Sequence, residues 1–351
     1  MTIARPALPD EPFAERGAQR AGTVPLVDIE HIRAAAKVLD GVTLRTPLLV
    51  LGPPHRRQLL KAESLQPVGA FKLRGAYVAI HALDRESRRR GVITYSSGNH
   101  AQGVARAARL LRAPAVIVMP SDAPPVKRDR VAADGAEVVE VGPSSDERHE
   151  VAERLAGERG LTIIPPFDDD RIIAGQGTVG LEIADDLPDL AAVLVPIGGG
   201  GLASGVAAAV RSVRPAARVI GVEPELAADA RDSLAAGRIV RWDPRRVGRT
   251  MADGTRTTSL GERTFAHLTS LIDDIVTVTE AEIAAAVRLA AEEARLVVEP
   301  SGALSIAAMR FRAGQCGLPD GESGGSVVAV VSGGNVEPAV YRRLLNAPLP
   351  G

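Results

Sequence analysis

The stretch VLVPIGGGGLASGVAAAV, residues 193–210, joins an apolar run to an alanine-rich segment through four glycines, Gly198, Gly199, Gly200 and Gly201. A continuous Val/Leu/Ile run bounded by turn residues reads as a strand buried on both faces, as in a parallel sheet covered by helices. The glycines let backbone N–H groups approach an anion, and the N-terminus of the following helix favours negative charge there. No Lys-Ser or Lys-Thr follows, so the loop is not a P-loop. Gly198, Gly200 and Ala203 also satisfy the dinucleotide pattern G-x-G-x-x-A, and Glu223 ends the next strand at the distance expected of a ribose ligand. On these residues a simple phosphate site and an NAD site both stand.

Outward from this loop, strand-like and helix-like segments alternate from about residue 27, the alternation that builds parallel sheets. Helices are expected over DIEHIRAAAKVL (28–39), FKLRGAYVAIHAL (71–83), HAQGVARAARLL (100–111), APPVKRDRVAADG (123–135), DERHEVAERLAGERG (146–160), IAGQGTVGLEIADDL (173–187), GLASGVAAAVRSVR (201–214) and EAEIAAAVRLAAEEAR (280–295). Strands are expected over GVITYSS (91–97), APAVIVMP (113–120), AEVVEVG (136–142), AAVLVPI (191–197), ARVIGVEP (217–224) and SVVAVVSGG (326–334). No repeat period is present.

The chain has 351 residues, 45% of them hydrophobic, and a formal net charge of -1. Its length suits two lobes or two domains. The near-neutral charge leaves no footprint for nucleic acid or an anionic membrane. No apolar run is long enough to span a bilayer. The N-terminal MTIARPALPDEPFAERGAQRAG lacks the apolar core of a signal peptide and reads as a disordered tail over 1–25. A lone cysteine, Cys316, permits no internal disulfide and is expected to be incidental; with it goes a cytoplasmic location.

Three more segments carry polar chemistry. SSGNH (96–100) follows a strand and opens a helix, so Ser96, Ser97, Asn99 and backbone donors suit a small carboxylate; ordinary serine and asparagine capping is the simpler alternative. His100 alone is more often structural than a base. SGGN (332–335) ends another buried strand. In VGAFKLRGA (68–76), Lys72 is one of only four lysines, the rest of the 42 basic residues being arginine. Lysine can lose its proton and attack a carbonyl, whereas arginine effectively cannot. A phosphate loop, a carboxylate loop and a reactive lysine together point to pyridoxal 5'-phosphate.

The sequence resembles the fold-type II pyridoxal-phosphate enzymes of the serine/threonine dehydratase and serine racemase family. KAESLQPVGAFKLRGA is similar to their lysine signature. SSGNHAQGVA, MPSDAPPVKRDRVAADGAEV, FDDDRIIAGQGTVGLEI, GGGGLASG, VTVTEAEI, VVEPSGA and VVSGGNV follow in the family's order, so the resemblance runs from about residue 27 to 342. It implies an α/β fold of two lobes, each a mostly parallel sheet covered by helices, with the cofactor in the cleft between them. The large cofactor-binding domain would take 26–90 and 166–342, and the small substrate-carboxylate domain 91–165. The C-terminal regulatory domain of biosynthetic threonine dehydratases is expected to be absent.

The resemblance also implies roles. Lys72 would hold the cofactor aldehyde, with Phe71 beside it. Ser97 would be the second acid/base, on the opposite cofactor face. Ser96, Ser97, Gly98, Asn99 and His100 would cradle the substrate carboxylate, Asn99 also reaching the cofactor's ring oxygen. Gly198 to Gly201 and Leu202 would bind phosphate. Ser332 would meet the pyridine nitrogen; being neutral, it would favour loss of a β-substituent over transamination. Glu223, Ala227 and Asp229 resemble the family's divalent-cation site, and their hard oxygens suit Mg2+ or Ca2+, so Glu223 carries two readings, ribose and metal. Arg148 aligns with an arginine near the substrate side chain in some relatives and would favour an acidic β-substituent. Ala70 stands where serine is usual, and Tyr95 where racemases carry histidine.

The expected activity is a threonine/serine ammonia-lyase acting on a small amino acid to give a 2-oxo acid and ammonia. The alternatives within the family are serine racemase and a dehydratase of the hydroxyaspartate or hydroxyectoine pathways. Outside it stand an NAD-dependent enzyme and a non-enzymatic ligand sensor. A homodimer is expected from such relatives.

Overall fold

The computed structural model describes residues 24–349 apart from 54, 56, 97, 122, 124, 143–144 and 320–323. The expected tail falls almost wholly outside these residues, and so does Ser97.

Among the described residues, ten strands form two sheets. The larger has β1 (Leu48–Val50), β2 (Gln58–Ala62), β7 (Leu190–Pro196), β8 (Arg218–Pro224), β9 (Asp274–Val278) and β10 (Ser326–Val331), in the order β1-β2-β10-β7-β8-β9. All its pairs are parallel except β1 with β2. The smaller has β3 (Val92–Tyr95), β4 (Ala115–Pro120), β5 (Glu137–Val141) and β6 (Thr162–Ile163), in the order β5-β4-β3-β6 and parallel throughout. Parallel neighbours need long crossovers, and helices supply them: α1 (Ile29–Leu39), α2 (Lys72–His81), α3 (Arg85–Arg90), α4 (Asn99–Leu111), α5 (Pro125–Ala133), α6 (Ser145–Arg159), α7 (Asp170–Asp186), α8 (Gly201–Val213), α9 (Asp229–Ala236), α10 (Pro244–Val247), α11 (Glu262–Leu271), α12 (Glu280–Ala294), α13 (Pro300–Phe311) and α14 (Pro338–Leu345).

Each face of the large sheet has its own apolar core. A third core joins α1, α2, α4 and α7 to one face of the small sheet, so the two lobes share buried apolar surface. Glycines set how closely the helices meet. A Cβ on Gly175 of α7 would lie 2.6 Å from the Cα of Gly75 on α2, and one on Gly103 of α4 would lie 3.0 Å from the carbonyl carbon of Lys72. Small-lobe α4 therefore rests directly on the backbone that carries the lysine.

A buried ion network holds α2 from behind. Arg74 is bonded to Glu63 through Nε (2.8 Å) and Nη2 (2.8 Å), and to Glu182 through Nη1 (2.6 Å). Lys61 reaches Glu182 at 2.6 Å and the Thr46 carbonyl at 2.7 Å. Burial pushes the Glu63 carboxyl up, but Arg74, the Thr46 hydroxyl and Lys61 together hold it below the usual carboxylate range.

The expected elements are present with shifted ends. The strand expected to run to 97 stops at Tyr95, and the helix expected from 100 starts at Asn99. The helix expected from 173 starts at Asp170, because Asp169 caps it by accepting from the N–H groups of Arg171 and Ile172. Strands β1, β2, β6 and β9 and helices α3, α9, α10, α11, α13 and α14 were not anticipated by the local pattern. Cys316 is buried and its thiol is pushed up to about 11, chiefly by that burial, so it stays protonated.

Candidate active site

The site lies where the N-termini of α2, α4, α8 and α13 and the end of β10 converge between the lobes. VGAFK and SGGN, distant in sequence, are joined by backbone pairing. Phe71 N–H donates to the Ser332 carbonyl at 3.1 Å and Gly334 N–H to the Gly69 carbonyl at 2.9 Å, with an isolated bridge between Ala70 and Gly333. Lys72, the first residue of α2, is thereby set beside Ser332, whose side chain is buried and whose hydroxyl is 3.5 Å from the Ser301 carbonyl.

Lys72 Nζ donates to the Pro166 carbonyl at 2.7 Å and lies 5.1 Å from the centre of the Phe71 ring. Burial pushes its ammonium down to about 8. A substantial neutral fraction at physiological pH is what a lysine nucleophile needs.

All four lack a side-chain cap, and two of them, α4 and α8, open on glycine. Helix α8 is capped by Gly200, at φ +90°, and α4 by Gly98; neither has a side-chain cap. Asp28, Asp84, Asp169 and Thr279 cap α1, α3, α7 and α12. The first turn of a helix leaves N–H groups without intrahelical acceptors, so α4 and α8 offer donors to an anion. Gly198, Gly199, Gly201 and Leu202 sit at the α8 end, all but Gly198 buried. Gly199 must lack a Cβ because the Phe167 ring occupies that space. Within SSGNH, Ser96 Oγ accepts a 3.3 Å bond from Gly98 N–H, so serine capping stands beside this geometry.

His100 is buried, and Nε2 faces the Ile164 carbonyl at 3.0 Å. Burial, with Lys72 nearby, pushes it down to about 3, so the ring is neutral with its proton on Nε2. Arg148 is half-buried on α6 beside His149, whose ring is 4.7 Å from that of Tyr95 at the end of β3.

Glu223 is not open to a ribose. Its carboxylate is buried and accepts from Ala230 N–H (3.0 Å) and Arg231 N–H (2.8 Å) at the start of α9. This geometry removes the NAD reading. Glu223 and Asp229 instead form a buried carboxylate pair: Asp229 is pushed up to about 7 by burial, and Glu223 well above its usual range by burial and by Asp229. Asp229 Oδ2 is buried without a partner, and Ala227 is buried in the same turn. No group of three or more His, Cys, Asp or Glu side chains suited to a metal gathers among the described residues.

Sequence reading attached no role to Glu299, Asn335, Arg130 or Pro166, although VVEPSGA and SGGN contain two of them. Asn99 Nδ2 donates to Glu299 Oε1 at 2.6 Å. Asn335 Nδ2 donates to Asn99 Oδ1 at 2.8 Å, and Arg130 Nη1 to Asn335 Oδ1 at 2.7 Å. The only available signal was the place of Arg130, Glu299 and Asn335 inside the motifs given above; Pro166 had none.

Comparison with known proteins agrees with this geometry. The family model for pyridoxal-phosphate dependent enzymes matches residues 40–333. The chain is 40% identical over 328 residues to an L-threonine ammonia-lyase of Thermotoga maritima, covering 92% of this chain and 79% of that protein. It is 40% identical over 314 residues to a serine racemase of Arabidopsis thaliana, covering 88% and 93%. The crystal structure of a threonine deaminase from T.th. superposes with a TM-score of 0.81 at 44% identity, covering 88% of this chain and 99% of that one. With a buried lysine amine set between unfilled helix N-termini, the chain belongs to the family of pyridoxal-phosphate dependent enzymes.

Proposed function

We propose that the protein is an ammonia-lyase that converts L-threonine or L-serine to the 2-oxo acid and ammonia. The observation that carries the reading is Lys72: a buried amine, pushed down to about 8, at the junction of the α2, α4 and α8 N-termini. Pyridoxal phosphate, held there, supplies the electron sink that lets the α-C–H bond of an amino acid break and its β-hydroxyl leave.

The chain's own residues do the rest. The backbone donors from Gly198 to Leu202 hold the phosphate, with α8 directing positive potential at it. Ser96, Gly98, Asn99 and the α4 N-terminus take the substrate carboxylate. The Lys72 amine, buried in the cleft, would take the α-proton on its nitrogen. Ser97 offers the opposite-face proton route that a racemase uses. Ser332 would offer the cofactor ring a neutral hydroxyl, not a carboxylate. Residues 91–165 act as the carboxylate-binding domain, and 26–90 with 166–342 as the cofactor domain. A hard divalent cation would be held by Glu223, Asp229 and the Ala227 carbonyl, a reading supported by the partnerless Asp229 Oδ2.

Racemisation is the second reading, favoured by the similarity to the Arabidopsis thaliana protein. Incubation with L-serine separates the two: a lyase yields pyruvate and ammonia in equal amounts, and a racemase yields mainly D-serine. Mainly D-serine, with little pyruvate, overturns the lyase assignment.

A further inference from the structure

The chain of hydrogen bonds through Asn99 has a direction, and its ends set it. Arg130 can only donate, so the Asn335 atom facing it must be the amide oxygen. Asn335 must then turn its nitrogen inward, where it gives one proton to the Val68 carbonyl (2.8 Å) and one to Asn99 (2.8 Å). The Asn99 atom receiving that proton must be oxygen, so the Asn99 nitrogen faces Glu299 at 2.6 Å. An ionised Glu299 can only accept, and imposes the same order from the other end. With its oxygen and one amide proton engaged, Asn99 has one amide proton left to present to the cleft.

The chain also alternates between lobes. Arg130 on α5 and Asn99 on α4 belong to the small lobe; Asn335 beyond β10 and Glu299 at the α13 cap belong to the large one. Lys127 of α5 adds a 3.0 Å ion pair to Asp253. Glu299 is buried, and a Cβ on Gly333 would run into its carboxylate, so the glycine leaves room for it.

We infer that Glu299 is a positioning residue which, with Arg130 acting through Asn335, locks Asn99 as a hydrogen-bond donor toward the cofactor while latching the two lobes. This rests on the reading of the cleft as a pyridoxal-phosphate site. The two anchors differ. A guanidinium does not give up its proton in proteins, whereas Glu299 is pushed up to about 7 by burial and by Asp253, against the opposing pull of Asn99, Lys127 and the Asn335 backbone. Above about pH 7 both ends fix the order. Below it Glu299 is protonated, can donate as well as accept, and the order is fixed only from the Asn335 end, where Arg130 donates to the amide oxygen and the Val68 carbonyl accepts from the nitrogen.

The test is a titration of cofactor-stripped, full-length protein with pyridoxal phosphate at pH 6 and pH 8, read by visible absorbance. The parent, Glu299→Gln, Asn335→Ala and the double variant are compared. Asn335→Ala, which removes the Arg130 and Val68 contacts together, should bind near the parent's affinity at pH 8 and about tenfold more weakly at pH 6, the worth of one hydrogen bond. Glu299→Gln, which keeps an acceptor oxygen, should stay within about threefold of the parent at both pH values. The double variant should be weak at both. An Asn335→Ala variant whose affinity relative to the parent is the same at both pH values overturns the inference. Because Asn335 is only partly buried, that variant decides the matter even if Glu299→Gln does not fold. A parent that binds no cofactor overturns the reading of the cleft itself, and the inference with it.

Discussion

Lys72 Nζ and the Pro166 carbonyl oxygen are 2.7 Å apart, joining the first residue of α2 to the segment between β6 and α7. The bond aims the amine into the cleft, while burial keeps its proton loosely held at about 8. Replacing Lys72 by alanine should therefore lower kcat by about a thousandfold or more, the scale of losing a positioned proton-transfer group. It should also abolish the borohydride-reducible visible band of the purified protein. A Lys72→Ala variant with full activity would remove the lysine from the reaction.

Cofactor capture should follow the same proton. Attack on an aldehyde requires the neutral amine, so the rate of uptake by the apoprotein should rise about tenfold per pH unit below about 8 and level off above it. Stopped-flow absorbance from pH 6 to 9 checks this. A rate independent of pH would show that the Lys72 amine is not the limiting nucleophile.

The ion network behind α2 should be visible in stability. Arg74→Met leaves Glu63 buried without its guanidinium partner at neutral pH, which should cost about 3–5 kcal/mol. The parent's Glu63 is held below its unfolded value, so its contribution is present above about pH 4.5 and is lost as pH falls through the lower folded value. The gap in melting temperature between parent and Arg74→Met should shrink on acidification toward pH 4. A constant gap would mean that the network contributes packing alone.

Gly175→Ala tests the helix contact that seats Lys72. The added methyl meets backbone on α2, not a flexible side chain, and overpacking of this kind costs about 1–3 kcal/mol. Thermal melting should fall accordingly, and cofactor affinity with it, because α2 must move. Parent-like melting and affinity would show that α2 and α7 can separate freely.

For the carboxylate pair, EDTA should lower the melting temperature, and Mg2+ or Ca2+ should restore it, because a cation offsets two buried negative charges. Glu223→Gln should be insensitive to both. Identical melting with and without EDTA would leave Glu223 as the helix cap of α9 alone.

The legible parts of the chain were those with a local signature. The strand at 193–197 and the glycines after it could be read because burial on both faces removes polar residues from a parallel strand. Helix α12 could be read from its caps and spacing. Helix α13, PSGALSIAAMRF, could not, because it is buried on all sides and its apolar residues show no 3.6-residue period. Strand β1 is only Leu48–Val50, too short for a pattern. Glu299, Asn335 and Arg130 escaped for another reason. Asn99 and Glu299 are 200 positions apart and Arg130 and Asn335 are 205, and no local rule pairs residues at such range. The Glu223 ribose reading failed because the motif describes a strand end and is silent about the helix turn that claims the carboxylate.

The most direct test is turnover of L-threonine by protein reconstituted with pyridoxal phosphate, read as 2-oxobutanoate and ammonia. The account predicts both products in equal amounts, with no release from Lys72→Ala. Cofactor-loaded protein that forms no oxo acid from L-threonine, L-serine or threo-3-hydroxyaspartate would contradict it.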